Sequence, residues 1–127
     1  MLKERVIYNL INKSKGNSLA LYAKCADNFF LRLKGLMFRK AINSEEALIF
    51  YQAASIHTFF MRFSLDLVFL DKKMQVIKIY RTLPPGRVVF CSSAYLAIEL
   101  PPDKISQKGL EIGDILELVP IDFSPQR

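Results

Sequence analysis

The chain has 127 residues, 51% hydrophobic and 24% charged, with a formal net charge of +6. That is ordinary globular composition, long enough for one domain (1–127) with one core. No apolar run approaches the roughly 20 residues of a membrane helix, so a membrane partner is not expected.

The charge is uneven. Residues 1–40 hold nine Lys/Arg against Glu4 and Asp27, and the remainder is close to balanced. Such asymmetry can mark an anionic partner, but a solvated basic face explains it first. Near the N-terminus, Val6, Ile7, Tyr8, Leu10 and Ile11 are interrupted by Asn9 and Asn12. They do not read as a secretory apolar region, so a cytoplasmic protein is expected. Cys25 and Cys91 are then expected as free thiols. With His57 the only histidine, no spacing resembles a structural zinc site, and neither metal nor cofactor is expected.

In chain order, residues 4–11 and 18–24 read as strands joined by a turn at Lys15-Gly16-Asn17. A helix is predicted over about 28–37: Asp27 can cap it, and Phe29, Phe30, Leu33, Leu36 and Met37 recur at helical spacing. Gly35 favours its ending there. Strands follow at 46–51, 56–62, 65–71 and 75–81, the last two joined by the short polar connection Asp71-Lys72-Lys73-Met74. Further strands are predicted at 94–99 and 114–119, and the proline pairs at 84–85 and 101–102 mark loops. Eight short strands in so short a chain predict a mainly β fold, a small barrel or sandwich-like single domain with one short helix.

The stretch 56–70 carries the most chemistry. Strict alternation puts His57, Phe59, Met61, Phe63, Leu65, Leu67 and Phe69 on one face and Arg62, Ser64 and Asp66 on the other. A bend near Ser64 would change that parity. Aspartate suits strands poorly, so Asp66 among apolar neighbours needs a partner. Arg62, Arg39 and His57 are candidates, and a carboxylate bonded to turn amides is the plainer reading. His57 likewise reads first as a core-edge imidazole, and Met37 and Met61 as core.

Three stretches then align in order: Arg32-Leu33-Lys34-Gly35-Leu36-Met37-Phe38-Arg39, then Phe59-Phe60-Met61-Arg62-Phe63-Ser64-Leu65-Asp66, then Gly109-Leu110-Glu111-Ile112-Gly113-Asp114. Over about residues 20–119 the chain resembles the bacterial and archaeal family catalogued as domain of unknown function 192. The resemblance implies a compact, mainly β fold with one short helix and no established activity. By motif it carries over Gly35, Leu36, Met37, Arg39, Phe60, Met61, Asp66, Glu99, Gly109, Gly113 and Asp114 as family positions. The chain departs from the pattern at Phe60, where tryptophan is frequent, and at Ser64, where proline is usual. It departs again at Pro102-Asp103, which replaces an alanine-glycine pair, and at Met74, where glycine is usual.

For function, a hydrolase using His57 and Asp66 lacks a nucleophile on a sharp turn. A single-stranded nucleic-acid barrel is suggested by Arg32, Lys34, Arg39 and Lys40 around Phe38, without any specific motif. The reading that uses most of these residues is a non-enzymatic module binding a small molecule or a peptide. Its pocket is expected near Arg39, His57, Phe60, Met61, Arg62 and Asp66, with Arg39 as an anion clamp. Oligomeric state is left open by the sequence.

Overall fold

A computed structural model describes residues 6–26 and 36–121. In chain order the elements are β1 (Ile7–Asn12), β2 (Asn17–Cys25), β3 (Glu46–Tyr51), β4 (Ser55–His57), β5 (Leu65–Leu70), β6 (Val76–Leu83), β7 (Val88–Phe90), β8 (Leu96–Leu100), α1 (Lys104–Lys108) and β9 (Leu116–Pro120). Seven strands form one sheet in the order β6-β5-β8-β3-β2-β1-β9, and β4 with β7 forms a separate ribbon. Among the described residues only β2 and β3 run parallel; the other neighbouring pairs are antiparallel.

The two edge strands meet at one end. Gln75 bridges Ile115, the Leu116 amide donates to the Met74 carbonyl, and the Val76 amide donates to the Asp114 carbonyl. The sheet therefore curls into a half-barrel, sealed where β6 and β9 begin. Gly113, at φ 98°, sits in this seam and donates to the Val76 carbonyl. Asp114 holds the seam from below: it accepts from Asn12 Nδ2 at 2.8 Å, from Lys15 Nζ at 2.7 Å and from the Glu111 amide at 3.0 Å. Two of the motif residues, Gly113 and Asp114, thus serve closure.

Curling gives the sheet an inner and an outer face, each with its own apolar cluster. Leu10, Ile49, Val68, Leu70, Ile98 and Leu100 pack inside. Leu65, Leu67, Phe69, Phe50 and Ala97 pack outside against Leu36, Ile42, Ile56 and Met61. β5 and β8 are buried along their whole length. Layers on both faces remove the apolar–polar alternation that a half-exposed strand shows.

The expected mainly β fold is present, with corrections. The predicted strand 56–62 ends at His57, and residues 58–61 turn instead. β7 was not anticipated, being three residues between Gly86 and Cys91. The predicted helix at 28–37 lies outside the described residues except Leu36 and Met37, which lie in a turn. The helix among the described residues is α1, five residues opened by Asp103 and closed by Gly109, both left-handed at φ 68° and 66°. Gly109 suits that C-terminal position because it has no Cβ to strain. Asp103 and Met74, where glycine is usual in the pattern, both adopt positive φ, at 68° and 63°. No helix of the described residues is long and apolar enough to cross a membrane.

Candidate functional site on the outer face

Register identifies which side chains share the outer face, since directly paired residues point the same way. Leu67 pairs with Glu99, Glu99 with Leu48, Leu48 with Lys24, and Lys24 with Ile7. This row crosses five strands. Two residues along β3 from Leu48, Glu46 takes the same face opposite Tyr22. Glu99 is thus set in the middle of the sheet, with Lys24 two strands away, roughly 10 Å by strand spacing.

Glu99 is 3% exposed, and its Oε2 has no hydrogen-bond partner. Burial pushes its carboxyl up to about 8, so the acid is largely neutral at neutral pH. Buried polar atoms are nearly always paired, and one left open in a central strand calls for a reason beyond folding.

The motif loops come down over this face. Leu36 and Met61 enter the outer cluster together. Beside them the Phe38 amide donates to the Phe60 carbonyl at 3.0 Å, and the two rings lie 5.7 Å apart. Both phenylalanines have positive φ, 65° and 62°, yet they are 61% and 66% exposed. Bulky residues rarely adopt that backbone, and such strain concentrates at binding sites. Phe59, also exposed, stacks on His57 at 5.5 Å. Thr58 anchors this turn: its Oγ1 donates to the Pro84 carbonyl and accepts from the Arg87 amide, both at 2.8 Å.

Arg39 lies on the same side, engaged rather than free. Its guanidinium grips Glu46 through Nη1 and Nη2 at 2.7 and 2.8 Å. The paired guanidinium holds the Glu46 carboxyl below the usual carboxylate range. Next to this pair Ile7, Tyr22, Lys24, Asn43 and Glu46 line a cleft of about 300 Å³.

The structure does not bring all the expected site residues together. Asp66 pairs with Leu100 and points to the inner face with Val68 and Leu70. It is fully buried, and its two oxygens accept from the Thr82 amide at 2.8 Å and the Ile105 amide at 2.9 Å. Backbone amides, not Arg62, Arg39 or His57, are its hydrogen-bond partners among the described residues. It ties the start of α1 to β5 and β6. His57 is half-buried on the outward face of the β4–β7 ribbon opposite Val88, not at the core mouth; its Nδ1 accepts from the Phe59 amide. Arg62 is exposed. Cys25 and Cys91 lie in different layers, Cys25 in the inner cluster and Cys91 against the outer one, and form no disulfide with each other. Glu46, Phe38 and Thr58 were not singled out as site residues by sequence reasoning; the available signal was the polar–aromatic texture around the motifs.

Together these features define a small curled-sheet β module with a buried carboxyl, Glu99, whose Oε2 is unpaired, on the face against which the motif loops pack. The chain matches the family of domain of unknown function 192, described as an uncharacterised ACR, over residues 10–118, and it belongs to that family. It is 39% identical over 114 residues to a UPF0127 protein of Thermococcus sibiricus, covering 85% of this chain and 73% of that one. It is 33% identical to a UPF0127 protein of Pyrococcus furiosus, over 85% of this chain and 96% of the relative. The fold is also that of a protein of unknown function from Novosphingobium aromaticivorans, with a TM-score of 0.78, 20% identity, and coverage of 88% and 84% of the two chains.

Proposed function

We propose that the protein is a non-enzymatic binding module that takes a small molecule or a peptide side chain on the outer face of its half-barrel. The observation that carries this reading is Glu99: a buried carboxyl with an open oxygen, on the sheet face against which Leu36 and Met61 pack, their loops also carrying Phe38, Arg39 and Phe60. A neutral carboxyl in an apolar setting donates one hydrogen bond and accepts others, a pattern that fits an amide, a carboxylic acid or a hydroxyl. Phe38 and Phe60 supply a stiff apolar lip, and Arg39 stays at the rim with Glu46.

A hydrolase is disfavoured because Asp66 faces the other side of the sheet and is consumed by two amides. It cannot orient His57 as an acid–base pair requires. The nucleic-acid reading loses Arg39, whose fork is filled by Glu46. A cytoplasmic setting agrees with two cysteines that lie in different layers without a disulfide between them.

The test is a thermal-shift screen of small molecules, short peptides and single-stranded oligonucleotides against wild type, Glu99→Gln and Phe60→Gly. Preferential binding to the folded state raises the midpoint. The reading expects one class of small molecule or peptide to shift wild type and to lose that shift in both variants. Shifts from oligonucleotides alone, or shifts indifferent to both variants, would overturn it.

A further inference from the structure

The inner face has an opening of its own. β9 runs past the hairpin between β5 and β6, so beyond the seam its free edge is left uncovered by β6. There Tyr51, Tyr95, Met74, Leu96 and Leu118, with Lys72 at the rim, surround a cavity of about 390 Å³. Tyr51 and Leu96 are paired in register and continue the inner row of Ile49 and Ile98, so this is the mouth of the half-barrel and lies across the sheet from Glu99.

The walls are held firmly. The Tyr95 amide donates to the Leu70 carbonyl, and the Tyr95 carbonyl accepts from the Gln52 amide, each at 2.7 Å. The Tyr51 and Tyr95 hydroxyls hydrogen-bond to each other, and their rings meet edge to face at 4.9 Å, forming an aromatic corner. Met74 adopts φ 63° and is packed against the inner cluster, so its thioether is placed at the opening at the expense of backbone strain. Methionine and tyrosine make an adaptable wall with a polar tip.

Charge selects the ligand. Lys72 is exposed at the rim, with no salt bridge among the described residues. Glu117 also borders the cavity, but alternation along β9 turns its side chain away from the face shared by Leu116 and Leu118. Alternation also points the Leu118 backbone away from β1, because the neighbouring Leu116 amide already does so in reaching Met74. A cation and an edge-strand amide therefore flank an apolar, partly aromatic hollow.

We propose that this mouth is a second binding site, for a small carboxylic acid with a flat or branched apolar body. The body lies against Tyr51, Tyr95 and Met74, and the carboxylate meets the Lys72 ammonium and the Leu118 amide.

The test uses ¹³C-methyl-methionine protein, with phenylacetate and phenethylamine as matched probes of opposite charge. Phenylacetate is expected to shift the Met74 methyl resonance saturably, while phenethylamine leaves it in place. Lys72→Glu should weaken phenylacetate about tenfold, the value of a lost charge-assisted bond. Met74→Gly relieves the backbone and keeps the fold, so loss of phenylacetate saturation transfer in that variant assigns the site to the mouth. An unmoved Met74 methyl, equal response to both probes, or binding unchanged in Lys72→Glu would overturn the proposal.

Discussion

Asp66 and Glu99 stand on adjacent, fully buried strands one register step apart and face opposite ways. Asp66 pairs with Leu100, and Glu99 pairs with Leu67. Asp66 has each oxygen bonded to a backbone amide; Glu99 has an oxygen bonded to nothing. Two carboxyls in one sheet have thus been assigned different work: one fastens α1 and β6 to β5, and the other is left open on the outer face.

Replacing Asp66 by Asn should therefore hurt the fold. One amide would face an NH₂ group instead of an acceptor, an unsatisfied buried donor that costs about 1–3 kcal/mol. Urea unfolding should show a lower midpoint at unchanged slope. Wild-type stability in Asp66→Asn would remove the fastening role.

Glu99 should behave in the opposite sense. Its folded carboxyl, at about 8, lies above the unfolded value of roughly 4.3. The folded state thus binds the extra proton between those limits. Its contribution is fully present below the unfolded value and is lost as pH rises through the folded one, by at most about 1.4 kcal/mol per pH unit. Glu99→Met should abolish that slope and raise stability at pH 8 while ending outer-face binding. Chemical denaturation across pH checks both statements.

The Arg39–Glu46 pair contributes at the other end of the scale. Arg39 holds the folded Glu46 carboxyl low, so its contribution is present above the unfolded value and is lost as pH falls through the folded one. Arg39 is partly exposed, and Arg39→Ala should cost only about 0.2–1 kcal/mol at low salt. The deficit should shrink in high salt, measured by thermal unfolding.

Phe60 tests the strain directly. Glycine adopts φ 62° freely, whereas a β-branched residue there is an outlier. Phe60→Gly should stay within about 1 kcal/mol of wild-type stability. Phe60→Val should be clearly less stable than Phe60→Gly, as measured in parallel melts. The reverse order would mean that backbone strain at φ 62° does not govern stability at this position.

Much of the fold was legible because local signals agreed. Residues 46–51 carry clean strand character and form β3 as expected, and the polar hairpin at 71–74 connects β5 to β6. The stretch 58–62 misled for a physical reason: alternating aromatic residues look like a strand, but Thr58 binds the loop at Pro84 and Arg87 and turns the chain. Nothing local announces that contact, which spans about thirty residues. Asp66 was recognised as needing partners, and strict alternation set it opposite Leu65, Leu67 and Phe69, as found; which of the two faces the motif loops cover was not legible, because β5 is buried on both sides. Glu99 was visible only as a motif position; its isolation depends on the register of β3, β5 and β8, which no single strand encodes.

The most direct measurement is an NMR titration of the Glu99 side-chain carboxyl in ¹³C-glutamate-labelled protein, assigned with Glu99→Gln. A midpoint near 8, falling or rising when an outer-face ligand is added, is the result this account predicts. A midpoint in the ordinary carboxylate range, unmoved by any ligand, would mean that Glu99 is solvated or paired, and the outer-face site would fall with it.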